Sequence, residues 1–113
     1  MSWIIKLYES KRGEKFVEEF IKSREPQVIA KISHHIDLLE QHGPFLGMPH
    51  VKKLISDLYE LRIRGKHEIR IIYTFKNKNI YLLHAFKKQT QKTPHKEIEI
   101  SLERTNKIKI ALD

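Results

Sequence analysis

Three short apolar segments follow one another with almost no chain between them, and they constrain the fold more than any other feature. They cover residues 58–63, 68–75 and 80–86. Each is rich in β-branched and aromatic residues, while Gly65 and the run Asn77-Lys78-Asn79 supply polar turns between them. The pattern predicts consecutive strands, joined by hairpins, in a mostly antiparallel sheet.

Strand and helix patterns flank these segments. Apolar alternation over residues 3–8 predicts a first strand, and helical spacing predicts one helix over residues 14–23 and a second from Pro26 to a C-cap at Gly43. Thr93 has the residue type of an N-cap, and a C-terminal helix follows it. The predicted order β-α-α-β-β-β-α is an α+β fold. In it the N-terminal strand joins the other three in a mostly antiparallel four-stranded sheet, the helical hairpin packs on one face of that sheet, and a C-terminal helix follows.

The size and composition of the chain exclude several classes of protein. Its 113 residues are enough for one domain, which we expect to span residues 1–113. The absence of cysteine excludes disulfides and thiolate metal sites. No apolar run reaches the length of a membrane span, and the N-terminus lacks the long apolar core of a secretory leader. We therefore expect a soluble cytoplasmic protein that binds no membrane.

The positive charge lies entirely in the second half of the chain. Residues 1–50 hold seven Lys/Arg and seven Asp/Glu, whereas residues 51–113 hold fifteen against seven, which accounts for the formal net charge of +8. Such asymmetry favours a polyanionic partner, most often nucleic acid. A basic surface that merely keeps the protein soluble remains the alternative.

The period of two along a strand sorts the side chains onto two faces of the predicted sheet. The apolar residues of the second and third strands share one face, which should pack on the helices. Glu60, Arg62 and Arg70 should then share the opposite, open face. Lys87 and Lys88 leave the end of the last strand. Because the parity of that strand is ambiguous, either lysine could point toward the arginines.

Several short pieces in and around these strands resemble one known family. They are KKL at residues 52–54, LYELR at 58–62, RIIY at 70–73, LLHAFKK at 82–88 and KTP at 92–94. In their order and spacing they resemble the RelE/HigB superfamily of bacterial and phage toxins. The nearest likeness is to its HigB-like branch of phage-derived or addiction-module killer proteins.

The resemblance implies a RelE-like fold and a function. The chain would be the toxin of a type II toxin–antitoxin system, a ribosome-dependent mRNA endoribonuclease that cuts the message in the ribosomal A site. Cleavage would use the 2′-hydroxyl of the message as internal nucleophile, without a metal or other cofactor. A cognate HigA-like antitoxin with a helix-turn-helix domain would neutralise the toxin. The toxin would reach operator DNA only through that antitoxin.

The resemblance also implies roles for single residues. Arg70 matches the arginine that begins the family's RxxY strand and would hold the scissile phosphate; the alternative is a surface salt bridge with Glu60 or Glu68. Lys87 and Lys88 match a basic or histidine position, where one of them could act as general acid. Arg62 could bind phosphate or pair with Glu60. Glu60 stands where some relatives have lysine, and it could act as general base or orient Arg62.

Four further basic residues would bind the RNA backbone: Arg64, Lys52, Lys53 and Lys92. No metal site is predicted, because the adjacent His34 and His35 diverge on a helix. Two other classes of function stay open. One is a non-catalytic RNA- or ribosome-binding module derived from such a toxin, and the other is a plain partner-binding protein.

Overall fold

The computed structural model describes residues 2–112, and the side chains as far as residue 109. Its elements, in chain order, are β1 (Ile4–Leu7), α1 (Phe16–Lys22), α2 (Pro26–His42), a short 3₁₀ helix (Gly43–Phe45), β2 (Val51–Lys53), β3 (Tyr59–Ile63), β4 (Glu68–Lys76), β5 (Asn79–Lys88) and α3 (His95–Leu112). No helix within the described residues is long and apolar enough to cross a membrane.

The strands form one sheet in the order β1-β5-β4-β3-β2. β1 lies parallel to β5, and all other neighbours are antiparallel. The α+β prediction with its mostly antiparallel sheet is confirmed, but the sheet has five strands rather than four. The missed strand is β2, whose three residues are too few to show an alternation in the sequence. Its ends are fixed by backbone bonds from Arg62 N to His50 O and from Leu54 N to Leu58 O.

The hairpin of α1 and α2 covers one face of the sheet. Alternate residues of β3 and β4 point toward it, including Leu61 and Ile71, both fully buried. From the helices, Val17 and Ile32 complete this core. This is the larger of two apolar clusters, and it confirms the face predicted for the apolar residues of both strands.

The opposite face is covered as well, which contradicts the expectation of an open surface. Ile98 and Leu102 of α3 pack over Ile72 and Leu83 of β4 and β5. The prediction was wrong because both sides of this contact carry apolar residues, and neither can stay in water without cost. The polar residues of the same face, Glu60 among them, therefore lie at the margin of a second core.

A bulge in β5 decides where its C-terminal residues point. Ile72 pairs with His84, but the next residue, Tyr73, pairs with Leu82. Leu83 is therefore an extra residue, and it reverses the alternation of side chains beyond it.

After the bulge, Lys87 pairs with Ile69, which faces the helical hairpin, and Lys88 pairs with Glu68, which faces the other way. Because cross-strand partners share a face, the two lysines point to opposite sides of the sheet.

Gly43 ends α2 in a backbone conformation that only glycine adopts readily, with φ +52° and ψ −128°. A Cβ atom added there would overlap the indole of Trp3. We expect Gly43→Ala to lower the free energy of unfolding by about 1–3 kcal/mol from backbone strain, and by more if the indole cannot move.

The matched control is Gly47→Ala, since Gly47 has open space around its Cα. Its cost should stay within about 0.5 kcal/mol. Urea denaturation of both variants tests the pair, and equal losses would show that Gly43 carries no special constraint.

Candidate functional site

Two arginines face each other on neighbouring strands. Arg62 of β3 is the direct cross-strand partner of Arg70 of β4, and Glu60 lies two residues before Arg62 on the same face. The sequence prediction that these three side chains come together is confirmed. Since strands fix the direction of a side chain more closely than loops do, the three charges are held in a constant arrangement.

The carboxylate of Glu60 lies between the two guanidinium groups. Its Oε1 is 3.5 Å from Arg70 Nε and 3.9 Å from Arg62 Nε. Glu60 and Arg70 are 0% and 1% exposed, whereas the side chain of Arg62 is 14% exposed. The negative charge offsets the repulsion that two buried arginines would otherwise exert on each other.

Arg70 is further held by Glu68. Its Nη2 donates a 2.7 Å hydrogen bond to Glu68 Oε2, and its Nη1 donates a longer one, of 3.4 Å, to the Ile69 carbonyl. Burial lowers the pKa of Arg70, while Glu68 and Glu60 oppose that change. Arginine begins from a pKa so high that the group remains charged at neutral pH.

Three buried polar atoms at the centre of this cluster have no hydrogen-bond partner within the described residues: Glu60 Oε1, Arg62 Nε and Arg70 Nε. The distances of 3.5 and 3.9 Å keep the charges near one another without closing a bond. Buried groups in this condition are uncommon and mark places where water or a ligand can complete the bonding.

Thr93 is a site residue that the sequence reasoning missed. Its hydroxyl donates a short hydrogen bond to Glu60 Oε2. The sequence predicted Thr93 as the N-cap of the last helix. In the structure α3 begins at His95, and the Thr93 hydroxyl binds Glu60 of β3 instead. The KTP piece of the family resemblance was the one signal that pointed to this position.

A hollow opens beside the arginine pair, and we call it the arginine hollow. It is lined by Arg62, Arg64, Glu68, Arg70, Lys88, Gln89, Thr90 and Gln91. Lys88 is half-buried there. Burial is the main cause that lowers the pKa of Lys88, and the positive charges of Arg70 and Arg62 lower it further, against the opposing effect of Glu60 and Glu68. The hollow therefore combines fixed cations with a lysine that gives up its proton more easily than usual.

The other predicted site residues lie outside the cluster of Glu60, Arg62 and Arg70, although Arg64 borders the arginine hollow. Lys87 points to the opposite face of the sheet, so the structure separates it from Lys88. Arg64 is exposed and lies 3.5 Å from Glu68. Lys52, which pairs with Glu60 across the strands, and Lys53 are exposed on the edge strand β2. The remaining one, Lys92, is exposed in the loop before α3.

A second polar group fastens α3 to the sheet near the arginines. His84 Nε2 lies 2.7 Å from Glu97 Oε1, and the ring stacks on Phe86, the cross-strand partner of Arg70. Arg104 donates a 2.8 Å bond to the Leu83 carbonyl. The pKa of His84 is lowered, mainly by burial, and the hydrogen bond and charge of Glu97 oppose this change without cancelling it. These contacts hold α3 in its position over the site.

Among the described residues, no group of three or more His, Cys, Asp or Glu side chains is arranged to hold a metal ion. His34, His35 and His50 do lie near one another, with ring centroids 5.7 and 5.6 Å apart. Burial lowers the pKa of His35, and the neighbouring His50 adds to this effect.

Residues 19–106 match the family described as phage-derived protein Gp49-like (DUF891). The match includes α2, all of β2 to β5 and the arginine hollow. No curated protein is similar enough in sequence to match the chain.

The burial of Arg70 predicts a large effect on stability. Arg70→Ala leaves Glu60 without its nearest cation in a buried setting, and breaking a buried pair in this way costs about 3–5 kcal/mol. Arg64→Ala removes an arginine of the same hollow whose side chain is 55% exposed, so it should cost about 0.5 kcal/mol or less. Urea denaturation measures both, and similar stabilities of the two variants would contradict the buried-pair description.

Proposed function

This chain belongs to the Gp49-like family of phage-derived proteins, a RelE/HigB-like toxin family, and on that basis we propose that it is an mRNA endoribonuclease. It would be the toxin of a type II toxin–antitoxin system and would cut messages bound to the ribosome. One observation carries the enzymatic part of the proposal. Two arginines, fixed on adjacent strands, border a hollow that also holds a lysine of lowered pKa.

The arginine pair supplies what phosphoryl chemistry needs most. When the 2′-hydroxyl of the message attacks the adjacent phosphorus, negative charge develops on the phosphate oxygens. Guanidinium groups aimed at those oxygens stabilise the transition state, and strands keep them aimed before the substrate arrives. Arg62 is the more accessible member. Arg70 is almost fully buried beside it and can contribute its positive charge while it remains paired with Glu60 and Glu68.

Lys88 is the candidate general acid. It lines the arginine hollow, and its pKa lies below the ordinary value for lysine. A general acid works best when its pKa approaches the working pH, so this change favours protonation of the departing 5′-oxygen. Lys87 lies on the other face and is not a candidate for this step.

Glu60 has two possible roles, and its contacts favour the positioning of the arginines. One oxygen accepts from Thr93, and the other faces both guanidinium groups. A carboxylate held in this way orients Arg62 and Arg70 better than it reaches a ribose hydroxyl. The general base would then be a group outside the buried cluster, supplied by the protein or by the ribosome.

The outer cations would guide the message into the hollow. Arg64 borders the hollow itself, Lys92 is exposed on the loop before α3, and Lys52 is exposed on β2 with Glu60 as its cross-strand partner. Lys53 pairs instead with Tyr59 and lies 5.9 Å from the centre of its ring on the helix-hairpin face, so it points away from the hollow. Exposed lysines bind phosphate mainly through charge, so their contribution should depend strongly on salt. In a cell the toxin would work in the cytoplasm, with the ribosome and an antitoxin of the helix-turn-helix type as partners.

A second function has one observation in its favour. Arg70 is almost fully buried, and it already pairs with Glu68 and Glu60. If these pairs never open, the hollow would bind RNA without cutting it. The chain would then be a non-catalytic RNA- or ribosome-binding module derived from such a toxin. The assays below separate the two functions, because binding alone leaves the message intact.

We expect induced expression of the wild-type protein to arrest growth, and Lys88→Gln to relieve the arrest. Loss of a general acid typically slows cleavage by a hundredfold or more, roughly 10²–10⁴-fold. Primer extension on messages isolated shortly after induction would measure the cuts. Lys6→Gln is the control, since it removes one exposed lysine from β1, far from the hollow. Full toxicity of a folded Lys88→Gln protein would exclude Lys88 as the acid.

The products of cleavage should identify the nucleophile. Attack by the 2′-hydroxyl leaves a 2′,3′-cyclic phosphate or 3′-phosphate upstream and a 5′-hydroxyl downstream. A message with 2′-deoxyribose at the cut position should therefore bind but resist cleavage. End-group analysis of the fragments is the measurement, and 5′-phosphate ends would instead indicate attack by water.

A further inference from the structure

The two lysines at the end of β5 mark two different hollows. Lys88 lines the arginine hollow. Lys87 lines a second one on the other face of the sheet, where the junction of α1 and α2 meets the start of β4. We call it the helix-side hollow, and it is lined by Ser23, Arg24, Glu25, Val28, His67, Ile69 and Lys87.

The helix-side hollow contains an arginine with unused bonding capacity. The guanidinium of Arg24 lies 4.3 Å from the centre of the Phe20 ring, and its Nη2 donates to Ser23 Oγ over 3.0 Å. Its Nε is buried and has no acceptor in the described part of the chain. Stacking on a ring fixes the guanidinium plane, so the remaining donors keep a constant direction.

The charge around Arg24 is mostly positive. Lys87 is exposed and has no carboxylate within ion-pair distance among the described residues. His67 also lines this hollow. The one carboxylate in the lining, that of Glu25, accepts a 3.0 Å bond from the amide of Gln27. An anion with several acceptor oxygens would satisfy Arg24 and Lys87 together.

We propose that the helix-side hollow binds a second phosphodiester of the same RNA strand whose scissile phosphate lies in the arginine hollow. This inference rests on the proposed function and adds a substrate-binding site to it. Lys87 and Lys88 are consecutive residues, so the strand would cross the end of the sheet between them. Arg64 borders the arginine hollow and also lines, with Lys31 and Lys66, a depression next to the helix-side hollow. The basic surface is therefore continuous from one face to the other.

This continuity favours RNA over an acidic segment of a partner protein. A nucleic acid strand carries phosphates at regular intervals and can place one on each side of the sheet.

The experiment measures binding of single-stranded oligonucleotides that cannot be cut because they contain 2′-deoxyribose throughout. Two labelled lengths are compared by fluorescence anisotropy over a range of salt concentrations. A strand of about nine nucleotides can span both hollows, and one of about three can occupy only one. The proteins are the wild type, Lys87→Gln, the double variant Arg24→Gln/Lys87→Gln, and Lys6→Gln as the control with one lysine fewer.

For the long strand, each lost phosphate contact should reduce the slope of log K against log salt by about 0.7. Its affinity at low salt should fall about two- to fivefold per residue, as expected for an exposed ion pair. The short strand should lose less affinity than the long strand in both variants, because it can still bind in the arginine hollow, which the substitutions leave unchanged. Lys6→Gln should keep the wild-type difference between the two lengths. Thermal unfolding checks the double variant, and the exposed Lys87→Gln alone carries the test if that variant does not fold.

Equal slopes for the wild type and Lys87→Gln would overturn the inference, as would an equal loss for both strand lengths. If an oligoglutamate competes with the wild type but not with the variants, and binding of the oligonucleotides is unchanged, the hollow belongs to an acidic protein segment and the inference is also overturned. Cleavage of messages in a translation extract is scored separately. Length-dependent binding without cleavage would reject the proposed enzyme and leave the second phosphate site in place.

Discussion

The carboxylate of Glu60 is the charge on which the rest of the site depends. Arg62 and Arg70 are direct cross-strand partners, and like charges in that position destabilise a sheet. Glu60 lies within 4 Å of both guanidinium groups and balances them. The carboxylate of Glu60 needs a fixed orientation, because a carboxylate that rotates freely would pair with one arginine only. Thr93 fixes its second oxygen and so links the sheet to the segment that leads into α3.

The burial that orders the arginines also limits them. Glu68 and Glu60 hold the guanidinium of Arg70 and restrict its movement. Without either carboxylate, less negative charge would offset the repulsion between Arg70 and Arg62. A phosphate bound in the arginine hollow, as we propose, would compete with Glu68, the more exposed of the two carboxylates. The cluster is thus ordered by the protein's own charges, and a few of its buried atoms have no hydrogen-bond partner among the described residues. Such local conflicts are expected where function, rather than stability, determines the residue.

Periodicity predicted the part of the site that lies within regular strands, and it failed where the chain departs from regularity. Glu60, Arg62 and Arg70 were correctly placed on one face, because two-residue alternation holds throughout β3 and β4. The edge strand β2 is too short to show a period. The cover provided by α3 is a tertiary contact, which the spacing within a single helix does not reveal. The family resemblance carried the toxin assignment, whereas the residue pattern alone supported no more than a basic protein with a polyanionic partner.

The bulge at Leu83 is a single extra residue, yet it decides which of two adjacent lysines lies beside the arginine pair. With a regular β5, Lys87 would share the face of Arg70, and Lys88 would point toward the helices. One extra residue exchanges them, so Lys88 receives the burial and the neighbouring positive charges that lower its pKa. Lys87 stays exposed near Arg24 on the other face. The sequence shows two adjacent lysines, and only the pairing of β4 with β5 makes them different: Lys88 lies half-buried beside the arginine pair, and Lys87 lies exposed on the opposite face.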